Sequence, residues 1–95
     1  MFGDWLATCA DHEAQAQILV RIARLEAGLA GDCKSVGGGV WELRVDHGPG
    51  YRVYFARTGK EIVLLLCAGD KRTQRRDIER AHKLLADHNR RSSRP

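Results

Sequence analysis

Hydrophobic residues recur at helical spacing at both ends of this chain and at strand spacing between them. Phe2, Trp5, Leu6 and Cys9 fit a short amphipathic helix. The period restarts near His12, with Ala14, Ile18, Ile22, Leu25 and Leu29 on one stripe and Arg21 and Arg24 off it. Gly28 and Gly31 supply stops. These two helices are expected to form a hairpin that packs one side on a sheet.

The middle of the chain changes to period two. Residues 33 to 36 read as a short strand. In residues 40 to 45, Trp41, Leu43 and Val45 alternate with Glu42 and Arg44; in residues 51 to 57, Tyr51, Val53 and Phe55 alternate with Arg52 and Tyr54. Residues 62 to 68 are continuously apolar, the pattern of a strand that is covered on both faces or central in its sheet. Residues 57 to 60 form the turn into it. Ile78, Ala81, Leu84, Leu85 and His88 then mark a last helix, with Thr73 as its N-cap. The reading is one domain over residues 1–88, with 89–95 a flexible tail, and an α+β class: an N-terminal helical hairpin on a small antiparallel sheet, followed by a C-terminal helix.

Loop length fixes the pairing around Gly48-Pro49-Gly50. Residues opposite each other across two strands share a face. Pairing Asp46 with Tyr51 would set Arg44 against Val53 and mix charged and apolar positions. Pairing Val45 with Tyr51 sets Arg44 against Arg52, Glu42 against Tyr54 and Leu43 against Val53. Only the second register keeps one face apolar, so the turn is expected to be odd-numbered or bulged.

Charge changes the picture next. The chain has 95 residues and a formal net charge of +4, and Arg supplies twelve of its sixteen basic residues. Arg suits bidentate phosphate contact, so the balance points to nucleic acid or an acidic protein partner, against the alternative of ordinary solubility charge. Three cysteines, Cys9, Cys33 and Cys67, form no Cys-x-x-Cys and meet no histidine cluster, which fits reduced thiols and no metal site. No stretch is long or apolar enough for a signal peptide or membrane span, so the expectation is a cytoplasmic protein needing no cofactor or metal.

The hairpin register sets Arg44 beside Arg52. Two explanations stand: nearby Glu42 or Asp46 compensates the like charges, or the two guanidinium groups together hold a phosphate. The segment Gly69-Asp70-Lys71-Arg72-Thr73 adds basic residues where a strand meets a helix start, a place that favours anions. No Gly-x-x-x-x-Gly-Lys-Thr occurs, which excludes a nucleotide-binding P-loop.

An ordered set of short matches runs from Trp5 to Leu85: Trp5-Leu6; Gly31-Asp32-x-Lys34-x-Val36-Gly37; Glu42-Leu43-Arg44; residues 48 to 55; Leu64-Leu65-Leu66; Gly69-Asp70-Lys71; Thr73-Gln74; and Asp77-Ile78-x-x-Ala81. In this order the chain resembles the RelE/ParE superfamily of bacterial toxins, in its HigB-like addiction module killer branch. The resemblance implies the toxin of a type II toxin–antitoxin pair, neutralised by a helix-turn-helix antitoxin. RelE- and HigB-type members cleave mRNA on the ribosome and halt translation; ParE-type members poison gyrase. A ribosome-dependent mRNA endoribonuclease is the first expectation. A gyrase poison, or a decayed toxin that only binds its antitoxin, is the alternative. The family opens with a strand ahead of the Trp-Leu helix, whereas Met1 here falls almost at that helix. Either the start codon is called late, or the sheet is short by one strand and its open edge pairs with a second copy or the antitoxin.

Cleavage by an RNA 2′-OH needs a base, an acid and a cation for the phosphorane charge. Arg52, flanked by Arg44 and Arg72, suits the charge role. Glu42, Asp77, Lys34 and Lys71 are the candidate proton carriers. Tyr54 is a candidate for stacking a base or donating a hydrogen bond to the RNA, and Lys34 and, in the turn, His47 are candidate RNA contacts. The lysines that RelE-type enzymes carry on the strand before the turn, and their tyrosine in the last helix, are absent here.

Overall fold

The computed structural model describes residues 2–58 and 62–92. The elements are α1 (Phe2–Thr8), α2 (His12–Glu26), β1 (Cys33–Ser35), β2 (Trp41–Val45), β3 (Tyr51–Thr58), β4 (Ile62–Asp70), a 3₁₀ turn (Lys71–Thr73) and α3 (Gln74–Ser92). The strands form one antiparallel sheet in chain order, β1-β2-β3-β4. The class read from the sequence is the class observed. Part of the turn between β3 and β4 lies outside the described residues.

The helical ends follow local chemistry. The Asp11 carboxylate caps α2 by accepting from the Glu13 and Ala14 N–H groups at 3.1 Å. Gln15, one turn into α2, donates to the Leu6 and Cys9 carbonyls at 2.8 and 2.9 Å and so closes the end of α1. At the other end of α2, Gly28 takes φ +90°. Its N–H and that of Leu29 reach back to Leu25 and Arg24, a Schellman closure. Leu29 is therefore past the helix and exposed, not on the stripe where the periodicity placed it. α3 is capped differently from expectation: Asp70, not Thr73, is the N-cap, and it serves the preceding 3₁₀ turn. α3 also runs four residues past His88, through part of the stretch read as a tail.

The hairpin register is the one that keeps a face apolar: Val45 pairs with Tyr51, Arg44 with Arg52, Leu43 with Val53 and Glu42 with Tyr54. A five-residue turn carries it, with Gly48 and Gly50 at positive φ. Between β3 and β4 the ladder shifts, so that Tyr54 faces Cys67 while Phe55 faces Leu65. This bulge lets neighbouring Leu66 and Cys67 join one cluster while Leu65 and Ala68 join the other. β4 is covered on both faces yet is an edge strand, not a central one. α1 packs against it.

The sheet thus separates two cores. On one side α1 and α2 bury Phe2, Ile18, Ile22 and Leu25 against Leu43, Val45, Val53 and Phe55. On the other, α3 buries Ala81 and Leu85 against Val40, Tyr54, Ala56, Leu66 and Cys67. Trp41 lies at the apolar parity but stays 41% exposed.

Candidate anion site beneath the start of helix α3

The second face of the sheet holds most of the charged candidates, and α3 covers part of it. Glu42 is 0% exposed and Asp77 is buried with it. Arg52 keeps only 12% of its side chain in solvent. α3 lies over this part of the face, whereas Lys34 and Arg44 keep 53% and 44% of their side chains exposed.

Glu42 is the hub. Its Oε2 accepts from the Tyr54 hydroxyl at 3.1 Å and from Gln74 Nε2 at 2.9 Å. Its Oε1 lies 3.5 Å from Arg52 Nε and 3.8 Å from Lys34 Nζ. Neither Glu42 Oε1 nor Arg52 Nε has a hydrogen-bond partner within ordinary geometry. A buried carboxylate in this state is held by opposite charge, not by a full set of hydrogen bonds. Arg52 also donates from Nη1 to the Gly50 carbonyl at 3.3 Å, which ties its guanidinium to the hairpin turn. Burial, and the Glu42 carboxylate beside it, push the Tyr54 hydroxyl far above its ordinary range. Tyr54 is fully buried, so no base can stack on its ring.

Across the ladder from Arg52 stands Gly69. A Cβ there would fall 2.0 Å from Asp77 Oδ2 and 2.6 Å from the Thr73 hydroxyl, so only glycine fits. Thr73 donates to Asp77, and the Cys67 thiol donates to the Asp77 main-chain carbonyl at 3.4 Å. Asp77 therefore fastens the start of α3 to the end of β4. Glu42 is fully buried and Asp77 nearly so, so neither offers an open face to a bound RNA in this arrangement.

The helix start is also occupied. Asp70 accepts the Arg72 N–H at 2.8 Å and pairs with its guanidinium at 3.1 Å. That pairing, with the backbone bonds, holds the Asp70 carboxyl below its usual range. The free N–H groups expected to seat a phosphate are thus partly taken by the protein's own carboxylate. Arg72 is 85% exposed, and so open a pair is screened by water and is little hindrance to a competing polyanion. Lys71 is exposed beside it.

Arg44 and Arg52 share a face, but separate acids compensate them. Arg44 donates from both Nε and Nη2 to Asp32 Oδ1, at 3.2 and 2.9 Å, while Arg52 faces Glu42. Asp32 was not among the compensating acids considered from the sequence. Together Arg44, Arg52, Tyr51, Asp32 and Asp46 line a polar pocket of about 240 Å³. His47 is not part of it. Its Nδ1 lies 3.3 Å from Gln17 Nε2 and its Nε2 lies 2.9 Å from Asp11 Oδ2, so it fastens the hairpin turn to the cap of α2.

A family model described as "Phage derived protein Gp49-like (DUF891)" matches residues 4–91. The chain belongs to this family. A Haemophilus influenzae relative bearing only the name "Uncharacterized protein" is 51% identical over 85 residues, covering 90% of this chain and 85% of that one. No solved structure matches the chain. The matched span of this Gp49-like chain takes in every candidate residue above and, Phe2 excepted, both cores. Among the described residues no His/Cys/Asp/Glu group could hold a metal ion, and no helix is long and apolar enough to cross a membrane.

Sequence reasoning missed Gln74 and Asp32, and it put Glu42, Tyr54 and Asp77 on the wrong side of the protein surface. The signal was available: Gln74, Asp77, Ala81 and Leu85 lie at 0, 3, 7 and 11 along α3, so two polar residues share its inward stripe.

Proposed function

We propose that this protein is the toxin of a type II toxin–antitoxin pair, an endoribonuclease acting on mRNA at the ribosome and silenced by a helix-turn-helix antitoxin. The observation that carries the reading is the seating of Arg52. Its guanidinium is fixed from behind by buried Glu42, from the side by Gly50, and borders the polar pocket it shares with Arg44. A preset guanidinium suits a developing phosphorane, because orientation is complete before the charge forms. Arg72, loosely paired, supplies a second cation at the rim. With Glu42 and Asp77 inside, the exposed titratable side chains open to proton transfer include Lys34 and Lys71, with Asp32 and Asp46 lining the pocket itself.

One observation favours a second reading. Arg44 is tied to Asp32, and the acids Glu42 and Asp77 are buried, as expected of a chain that retains the fold and antitoxin binding without cleavage.

The test is brief induction in cells, followed by primer extension across abundant mRNAs and a plasmid supercoiling assay. Cleavage predicts early translation arrest, new mRNA 5′ ends and unchanged supercoiling. Arg52→Lys keeps a cation opposite Glu42, so the fold persists. It loses the bidentate fork, which should lower cleavage about a hundredfold. Intact mRNA with collapsed supercoiling would select the gyrase reading. A harmless chain that still co-purifies with the neighbouring gene's product would select the inactive one.

A further inference from the structure

The outer face of α3 carries a row of cations that the site above does not use. Arg75, Arg76, Arg80 and Lys83 are all exposed. Among the described residues none of them takes part in an ion pair. They border two shallow furrows of about 320 and 610 Å³ that share Arg76 and Glu79, so the two form one continuous trough. Arg72 and Arg75 flank one part, Arg80 and Lys83 the other, and Glu79 is the single acid among the lining residues.

The row is rigidly mounted. Ala81 and Leu85 are buried under it, and His82 Nε2 lies 2.9 Å from the Gly37 carbonyl, linking α3 to the β1–β2 turn. Arg76 to Lys83 spans roughly 10 Å along the helix, a fixed ladder of charge.

What the face lacks decides its occupant. The exposed large hydrophobic residues among those described are Leu19, Val20, Leu29 and Trp41, and none is on α3. Unstacked bases need aromatic platforms. A protein partner needs apolar or aromatic anchors at the centre of its contact. Insertion at a membrane surface needs the apolar side of the helix, which here faces the sheet. Cations alone, held at fixed spacing, match phosphates that are themselves held at fixed spacing. We infer that the outer face of α3 is a docking surface for the phosphate backbone of double-stranded nucleic acid. This goes beyond the cleavage reading and does not depend on it.

The experiment is a fluorescence anisotropy titration of the full chain against an RNA duplex of about 16 base pairs. The DNA duplex of the same sequence, the single RNA strand and polyglutamate of equal charge are titrated alongside, across a salt series. Four unpaired cations predict a log–log salt slope near −3.5 for the duplexes, roughly 0.9 per phosphate neutralised. The variant R76Q/R80Q/K83Q should lower the slope by about 2.7 and weaken binding at least tenfold at moderate salt. Its thermal melt should match the wild type, because all three positions are exposed. Arg52→Lys should leave duplex binding unchanged. Equal binding of RNA and DNA duplexes, or a preference for RNA, both support the surface. A single strand or polyglutamate bound as tightly as the duplexes overturns it, and so does a triple variant with wild-type affinity and slope. Loss of growth arrest in Arg52→Lys without any duplex binding would remove this inference and leave the proposed cleavage standing.

Discussion

Glu42 and Leu43 are neighbours on one strand, equally buried, and they face opposite sides of the sheet. On the side of Leu43, two helices bury a core that is apolar throughout. On the side of Glu42, one helix buries a core that is apolar at one end and charged at the other, where Arg52, Gln74, Tyr54 and Asp77 gather. The first side is held by burial of hydrocarbon, which tolerates change in proportion to the volume lost. The second depends on partners: a buried charge is acceptable only while its counter-charge stays. A small domain can keep an arginine at fixed orientation by placing its carboxylate inside the protein. It then needs the opposite core to supply the stability.

The sharpest way to break that contrast is to truncate each neighbour. Glu42→Ala strands Arg52 and should cost about 3–5 kcal/mol, toward the lower end because part of Arg52 reaches solvent. Leu43→Ala should cost about 2–5 kcal/mol by leaving a cavity. The two separate on rescue: Glu42→Leu combined with Arg52→Met should recover most of the loss, read by urea unfolding. Failure of the double variant to recover would mean that the charged end is not a replaceable pair.

Next in size is Gly69→Ala. Its Cβ would meet Asp77 Oδ2 at 2.0 Å and Thr73 Oγ1 at 2.6 Å. A loss of about 1–3 kcal/mol is expected. Combining it with Asp77→Ala should cost about 1 kcal/mol less than the two single changes added. Strict additivity would show that the carboxylate does not sit over the glycine in solution.

The charged side also carries the base-sensitive groups. Burial raises the Cys67 thiol from 9.0 to about 11, and raises the Tyr54 hydroxyl further still. A group whose folded pKa lies above its unfolded value contributes fully below the unfolded value, and the contribution is lost as pH rises toward the folded one. Stability should therefore fall from about pH 9 upward. Cys67→Ala should flatten the first part of that fall, between pH 9 and 11, in a series of denaturant melts. An unchanged slope would place the titrating group elsewhere. The smallest effect belongs to the apolar side: Asp11→Ala removes a cap and the His47 contact, and should cost about 1 kcal/mol.

These two sides were not equally legible. The α1/α2 face could be read because strict alternation in β2 and β3 left one register that kept apolar residues together, and the observed pairing is that one. The charged face was misread because alternation tells which residues share a face, not whether something lies over it. Yet residues 53 to 56 are apolar at both parities, as β4 is, and a strand apolar on both sides implies two covered faces. The inward position of Asp77 said the same from the helix. Asp32 was out of reach, since its contact with Arg44 depends on how the chain enters β1, which no periodicity encodes.

The order of the strands has a consequence for how the molecule forms. Each strand pairs with the one before it in the chain, so the sheet can zip through a series of short loop closures, each of low entropic cost. The contact of α1 with β4 is different, because it joins the start of the chain to a strand more than fifty residues later. Ordered by loop-closure cost, that contact forms late. During synthesis α1 would emerge before β4, leaving its Phe2 and Trp5 without that part of their packing until β4 is made.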